Sequence, residues 1–498
     1  MRPDPPAGWV VARSEPGSGT RRADRQGLEE GNAVSEVQPG TSEVAPSGDG
    51  MSGGGIANYF KFAERGTNIA VEARAGLATF FVMAYIIFVN PAILTAGFKD
   101  ADPAFTAGSI AAATALVAGV MTIAMGVFSN YPFALAAGLG INGIVAFGLT
   151  ARGLSPAGAM GVIVIEGLAI TALVLLGLRE AIMNAVPIAL KRAIGVGIGL
   201  FILFLGFVNG GLIKAGSGTL VTIAYPTTAA QFVFIIGLVI TFALYARNIR
   251  GSLVISILVT TIIAIVAGVA TLPTTFTATP DFSTLGKFDL GQVWTLGPLI
   301  AILTIFAIML TDFFDTMGTV TGVAAEAGLA EPDGSVPGVG RVLLVDSVAA
   351  VAGGLAGTSS NTTYIESAAG VAEGGRTGFT SIVTGVLFLL AIFLSPIAGI
   401  VPGVATAPAL VLVGYLMFTL VRDIPVDSLE DGLPALLTMI LMPLTYDITV
   451  GIGAGFISWV LIKLVRGKVG EIHPLMWVVT VAFLIFFAQD WLPTVLPK

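Results

Sequence analysis

The chain is expected to be an all-α polytopic membrane protein of about fourteen transmembrane spans, arranged as a seven-plus-seven inverted repeat. Three observations carry that expectation. Only 11% of its residues are charged and 55% are hydrophobic, with a mean hydropathy of +0.92, whereas soluble domains hold about 25% charged residues. Apolar stretches of spanning length, about 20 residues each, follow one another from residue 75 to residue 466. Positive charge falls in alternate loops, as a fixed membrane topology requires.

Residues 1–55 are rich in Gly, Ser, Pro, Glu and Arg and hold almost no apolar run. They read as a disordered tail without the apolar core of a secretory signal, and Met51 is an alternative start. Residues 56–74, with Phe60-Lys61-Phe62-Ala63-Glu64-Arg65-Gly66, read as an interfacial helix. Seven spans follow at 75–95, 107–128, 133–150, 158–179, 191–209, 229–246 and 251–271. A Thr- and Pro-rich connection, 272–295, precedes seven more at 296–319, 341–357, 361–375, 377–398, 405–421, 431–446 and 447–466. An odd number of spans per half turns the halves over relative to one another. With a cytoplasmic N-terminus, Arg74, Lys191, Arg250, Arg341, Arg376 and Lys463 fall inside, while the outer loops keep isolated cations such as Lys99 and Arg152. The remaining apolar stretch, 474–491, fits a fifteenth crossing, a re-entrant piece or a surface helix.

Composition also excludes chemistry. There is no Cys, which removes disulfides, thiol nucleophiles and cysteine-ligated metals. His473 is the single histidine and lies outside the expected core. No nucleophile–base pair, metal constellation or Walker-type loop is present. Neither an enzyme, a cofactor nor a bound metal is expected. The net charge of −7 is distributed over loops and buried acids.

What remains are acids where lipid should be. An ionisable group at the bilayer centre costs about 3 kcal/mol on insertion scales, so its retention points to function. Asp312, Asp315 and Thr319 are spaced i, i+3, i+7 and share one helical face. A carboxylate there can accept N–H bonds from a polar ligand or carry a proton. Glu366 opens the second part of a span that begins with a Thr/Ser/Asn run and turns helix-compatible after Tyr364. The matching third span of the first half is short, broken by Gly138, Gly140 and Gly143, and carries Asn142. Short, interrupted segments at matching places in two halves are the sequence mark of a transporter binding site. For Asn142, Thr362, Thr363 and Ser367 two readings stand: ligand contacts, or polar groups joining helices. Glu166 is either a scaffold acid or part of a proton path, and Asp346 is structural or gating, paired with Arg341 or Arg376.

Four segments carry a resemblance: Gly76-Leu-Ala-Thr-Phe-Phe-Val-Met-Ala-Tyr-Ile-Ile-Phe-Val-Asn-Pro91, Ala137-Gly-Leu-Gly-Ile-Asn142, Asp312-Phe-Phe-Asp-Thr-Met-Gly-Thr319, and Thr363-Tyr-Ile-Glu-Ser-Ala-Ala-Gly370 through Gly378. From about residue 60 onward the chain resembles the adenine/guanine/hypoxanthine (AzgA-like) permeases of the nucleobase–cation symporter and nucleobase/ascorbate transporter group. The resemblance implies a core domain of spans 1–4 and 8–11 (75–190 and 296–398) and a gate domain of spans 5–7 and 12–14 (191–271 and 399–498). It implies short strands in spans 3 and 10, and base contacts at Asp315 and Glu366. Thr79 stands where relatives often have His, and Thr319 where they have a second acid, for which Asp312 is a stand-in.

The expected activity is therefore proton-coupled import of a purine base across the plasma membrane by alternating access, with the N-terminus cytoplasmic and a homodimer formed through the gate. Phe81, Phe313, Phe314 and Tyr364 are candidates to stack on the base. Asp312, Asp315, Glu366 and Glu166 are candidates to carry the proton, with sodium the lesser alternative. A same-fold carrier of xanthine, uracil or an anion, and a channel, are the rival readings.

Overall fold

A computed structural model describes residues 55–99, 101–177, 185–216, 218–272, 279–331 and 335–488. The expected tail of residues 1–55 apart from its last residue, the end of the fourth span, part of the inter-repeat connection and the last residues of 474–491 lie outside these. Ten helices among the described residues are long and apolar enough to cross a membrane. Span 1 is Ile69–Phe98, span 2 Ala107–Ser129, span 4 Pro156–Leu175, span 5 Ile188–Asn209 and span 6 Ala229–Ala246. Span 8 is Pro298–Glu326, span 9 Val339–Ala356, span 11 Gly378–Ala398, span 12 Gly403–Asp423 and span 14 Ile448–Val465. The shorter helices Ser252–Val266 and Leu429–Thr445 are spans 7 and 13. Spans 3 and 10 are broken. Each begins as a three-residue strand, Leu135–Ala137 or Asn361–Thr363, and continues as a short helix, Leu139–Gly143 or Ser367–Ala372.

The packing partners reveal the internal repeat. Spans 2 and 11 pack together, as do their counterparts 9 and 4. Spans 1 and 11 correspond in the same way to 8 and 4, 5 and 13 to 12 and 6, and 13 and 14 to 6 and 7. Spans 5 and 12 pack on each other, as do the two strands. Every such contact maps onto another, or onto itself, when seven is added to or subtracted from the span number. The helices thereby fall into two packing groups, one built from spans 1, 2, 4, 8, 9 and 11 and the other from spans 5–7 and 12–14.

Small residues set these crossings, because lipid supplies no hydrophobic force between helices and close approach must. A Cβ on Gly378 would stand 2.0 Å from the Gly126 carbonyl oxygen, and one on Gly126 2.2 Å from that of Gly378. Spans 5 and 12 meet in the same way at Gly199 and Gly414. The outward face of span 6 shows Phe232, Ile236, Val239 and Phe242, all exposed and on one side of the helix, as a lipid-facing surface requires.

Four details depart from the expected boundaries. The interfacial helix is short, Gly55–Tyr59, because Lys61 and Gly66 adopt positive φ and Asn68 then starts span 1 by capping the N–H groups of Ala70 and Val71. Span 1 is interrupted at Ala84–Tyr85. Span 8 continues to Glu326, since the Ala-, Val- and Thr-rich turns after Thr319 are helix-compatible and Gly328, at φ +66°, ends it. The stretch after Pro474 forms the helix Pro474–Phe487, capped by the His473 imidazole and packed on span 14, where Phe456 and Phe483 meet at 6.0 Å.

One buried acid needs no transport role. Glu72, fully buried, accepts the N–H groups of Arg376 (2.9 Å), Thr377 (3.3 Å) and Thr380 (3.2 Å) and the Thr380 hydroxyl (2.6 Å). It thus serves the free amides at the start of span 11 and fastens them to span 1.

Candidate functional site

The strands of spans 3 and 10 pair antiparallel, Leu135 opposite Thr363, Ala136 opposite Thr362 and Ala137 opposite Asn361. Gly138 N–H donates to the Ser360 carbonyl (2.8 Å) and Tyr364 N–H to that of Ala134 (2.9 Å), extending the ladder at both ends. Extended backbone at this depth is stable only inside protein, and the neighbouring side chains supply that cover. Thr122 of span 2 donates to the Leu135 carbonyl (3.1 Å) and accepts the Leu135 N–H (2.9 Å). Asp346 of span 9 accepts from the Thr316 hydroxyl (2.7 Å), the Thr363 N–H (3.0 Å) and the Thr363 hydroxyl (2.9 Å). This is the structural role for Asp346, built on the strand and span 8.

The hydroxyl candidates of span 10 are engaged in the same scaffold. Thr362 hydrogen-bonds Thr316 at 2.7 Å. Ser367 donates to the Tyr364 carbonyl (2.7 Å) and accepts the Ala134 N–H (3.0 Å). Tyr364, buried, donates its hydroxyl to the Ala137 carbonyl. Ser367 and Tyr364 therefore tie the two broken spans together, while Thr362 and Thr363 fasten the strand to spans 8 and 9.

Three other candidates keep polar groups available beside the strands. Asp315 is exposed along with Gly318, Gly322 and Ala325, positions i, i+3, i+7 and i+10, so one face of span 8 is open from Asp315 to the helix end. The Asp315 carboxylate lies within electrostatic reach of Asp346 and Glu366. Glu366, half-buried, accepts the Tyr85 hydroxyl at 2.7 Å. It borders a cavity of about 210 Å³ whose wall includes Val82 of span 1, Tyr245 and Gly251 around the spans 6–7 loop, and Leu412 of span 12. Asn142 is fully buried in the short helix of span 3, and neither amide atom has a hydrogen-bond partner among the described residues. A six-residue π-helical stretch, Ile144–Leu149, follows it, a distortion that recurs at functional sites.

The remaining candidates lie further from open space. Asp312 is buried and accepts from Ser360 at 3.2 Å. Thr79 is buried against Gly370, where an added Cβ would stand 2.3 Å from the Thr79 hydroxyl oxygen, so it faces the half-helix of span 10. Thr319 is buried in span 8, and Glu166 is fully buried in span 4. Phe313 packs in an apolar cluster with Ile170 and Met309, and Phe81 is 54% exposed next to Gly251. Phe314 is half-buried with the Lys191 ammonium 5.6 Å from its ring centroid. The acid-bearing segments contain no cation, yet the crossing of span 5 brings one to Phe314.

Tyr85 and Thr122 were not legible as site residues. Tyr85 lies in an apolar run and reads as core, and nothing in sequence spacing ties it to Glu366, 281 positions away.

A two-strand centre inside an inverted-repeat membrane bundle is the architecture of a polytopic transport protein, and the chain belongs to the Permease family (Xan_ur_permease), which it matches over residues 72–454. Among its relatives, the guanine/hypoxanthine permease PbuG of Bacillus subtilis (strain 168) is 41% identical over 440 residues, 87% of this chain and 99% of that protein. The adenine permease AdeP of Escherichia coli (strain K12) is 39% identical over 441 residues, 88% of this chain and 96% of that protein. The fold is shared with solved transporter membrane domains. That of the cyanobacterial bicarbonate transporter BicA aligns with a TM-score of 0.57 at 14% identity, over 77% of this chain and 97% of that one. The inward-facing murine anion transporter Slc26a9 aligns with a TM-score of 0.58 at 11% identity, over 85% of this chain and 74% of that one. The expected family and the expected fold class are both borne out.

Proposed function

We propose that the protein imports purine nucleobases across the cell membrane, with Asp315 and Glu366 receiving the N–H groups of the base and Asn142 meeting its edge. The observation that carries this reading is that three polar side chains flank one strand pair: Asp315 beside the Thr316 that bonds Thr362, Glu366 just after Thr363, and the unpartnered amide of Asn142 in the short helix that follows Ala137. An unsatisfied buried amide costs about 1–3 kcal/mol, which a hydrogen-bonding ligand offsets. The relatives named for guanine, hypoxanthine and adenine support the substrate class. A purine is flat, neutral and rich in N–H donors, which suits acceptor-only carboxylates. An anion would instead call for Arg or Lys at the centre.

A neutral base draws no force from the membrane potential, so a co-transported proton supplies the drive, carried by Glu366 or Asp315 with Asp312 behind them. Transport proceeds by movement of the packing group that holds the strands (the core) against the group of spans 5–7 and 12–14 (the gate). The N-terminus is cytoplasmic, and two copies associate through the gate.

The test is uptake of labelled hypoxanthine by cells expressing the full chain, in competition with adenine, guanine, xanthine and uracil. Saturable uptake that purines compete for, and that collapses with a protonophore, is the expected result. Non-saturable flux would favour a channel. Uptake that follows sodium and ignores the protonophore would overturn the proton assignment.

A further inference from the structure

We infer that Tyr85 is a positioning residue for substrate recognition, acting through Glu366; this rests on the reading that Glu366 meets the base. Tyr85 is fully buried at the interruption of span 1, and its hydroxyl donates to Glu366 Oε1 at 2.7 Å. An ionised carboxylate offers about four acceptor positions. A rigid phenol on one oxygen fixes the rotation of the group and leaves the rest of it turned to the cavity that Glu366 shares with Val82, three residues before Tyr85. A tyrosine that only filled space would not need its hydroxyl. Tyr85→Phe keeps the ring and removes the hydroxyl, and a hydrogen bond to a charged group is worth about tenfold or more in affinity. The expected result is an apparent KM for hypoxanthine raised about tenfold, with maximal rate and membrane level within about twofold of the parent. In a Glu366→Asp background, which draws the carboxylate back from Tyr85, the same substitution should add nothing. An unchanged KM in Tyr85→Phe, or a loss confined to maximal rate and protein level, overturns the assignment. Normal uptake by Glu366→Gln would instead overturn the reading of the site itself.

Two ion pairs carry a separate inference. Arg152, after span 3, pairs with Asp447, before span 14, at 2.5 Å; Arg152 also donates to Thr304 (2.6 Å) and lies 5.5 Å from the Phe486 ring centroid. Arg250, before span 7, pairs with Glu373, after span 10, and Arg74 joins the same carboxylate at 3.1 Å. Adding seven to the span number carries the loop after span 3 onto the loop after span 10. Subtracting it carries the loop before span 14 onto the loop before span 7. The two pairs therefore occupy equivalent places with their charges exchanged, and each joins a core loop to a gate loop. Counting crossings sets them on opposite membrane faces. We propose that they are the outer and inner latches of the transport cycle, since rocking one group against the other must part the pair at the end that opens. The outer pair, with side chains 19% and 20% exposed, is the firmer latch; the Arg250 side chain is 72% exposed and better screened.

The natural absence of Cys makes the test direct. Arg152→Cys with Asp447→Cys, and Arg250→Cys with Glu373→Cys, are bridged in the full chain by a short bis-methanethiosulfonate reagent, and bridging is verified by mass. Each bridge is expected to lower uptake more than about tenfold, because one facing state is removed from the cycle, and reductant should restore it. Verified bridges that leave uptake at the unbridged rate overturn the latches. A parent chain that takes up no purine would overturn the functional reading instead.

Discussion

Glu366→Gln and Asp315→Asn are each expected to abolish purine uptake while the protein still reaches the membrane. Each swap keeps the side chain's shape but replaces an acceptor-only group with one that also presents N–H donors. At Glu366 the Tyr85 hydroxyl can still donate to the remaining carbonyl oxygen, so the scaffold survives and the loss falls on the ligand. A charge-assisted hydrogen bond is worth about 1.5–3 kcal/mol, and setting a donor against a purine N–H adds a repulsive contact. The summed effect is about a hundredfold or more in apparent affinity. An amide also cannot carry the proton. Labelled hypoxanthine uptake, normalised to the amount of tagged protein in the membrane, reads the result; full uptake by both variants would remove these residues from the site.

Asp346→Ala is expected to damage the protein rather than the chemistry. Asp346 is almost fully buried and takes three hydrogen bonds, one from the Thr363 amide, which cannot turn elsewhere. Leaving a buried donor without a partner costs about 1–3 kcal/mol, so loss of this anchor should remove roughly 3 kcal/mol or more and loosen the strand pair. Thermal unfolding in detergent should show a clear fall in midpoint and a lower membrane level. Asp346→Asn, which keeps one acceptor, should lose less. A melting curve like that of the parent would mean that the strand holds without span 9.

These two expectations mark where the sequence was informative and where it was not. Asp315 and Glu366 stood out because a carboxylate in an apolar span is costly wherever the side chain points. The breaks in spans 3 and 10 were legible because Gly, Thr, Ser and Asn runs disfavour a helix at that depth. Direction was not legible. Thr362, Thr363 and Ser367 looked equally suited to a ligand or to a backbone, and only the register of Asn361–Thr363 on Leu135–Ala137 turned them toward Thr316, Asp346 and Ala134. Tyr85 and Thr122 were hidden for the converse reason, since a single polar atom within an apolar run carries no periodic signal. The weakly apolar turns after Thr319 read as a loop, yet they form the open face of span 8.

The matched packing of the two halves has an energetic consequence. If the halves could exchange conformations completely, the inward- and outward-open forms would be images of one another and equally populated. Whatever resting preference the carrier has must therefore come from residues that differ between counterparts, such as the half-buried Arg152 pair against the Arg250 pair, whose arginine is exposed. A difference of about 1.4 kcal/mol between such counterparts tips the populations about tenfold. Small substitutions far from the ligand thus become controls on which side of the membrane the empty carrier waits.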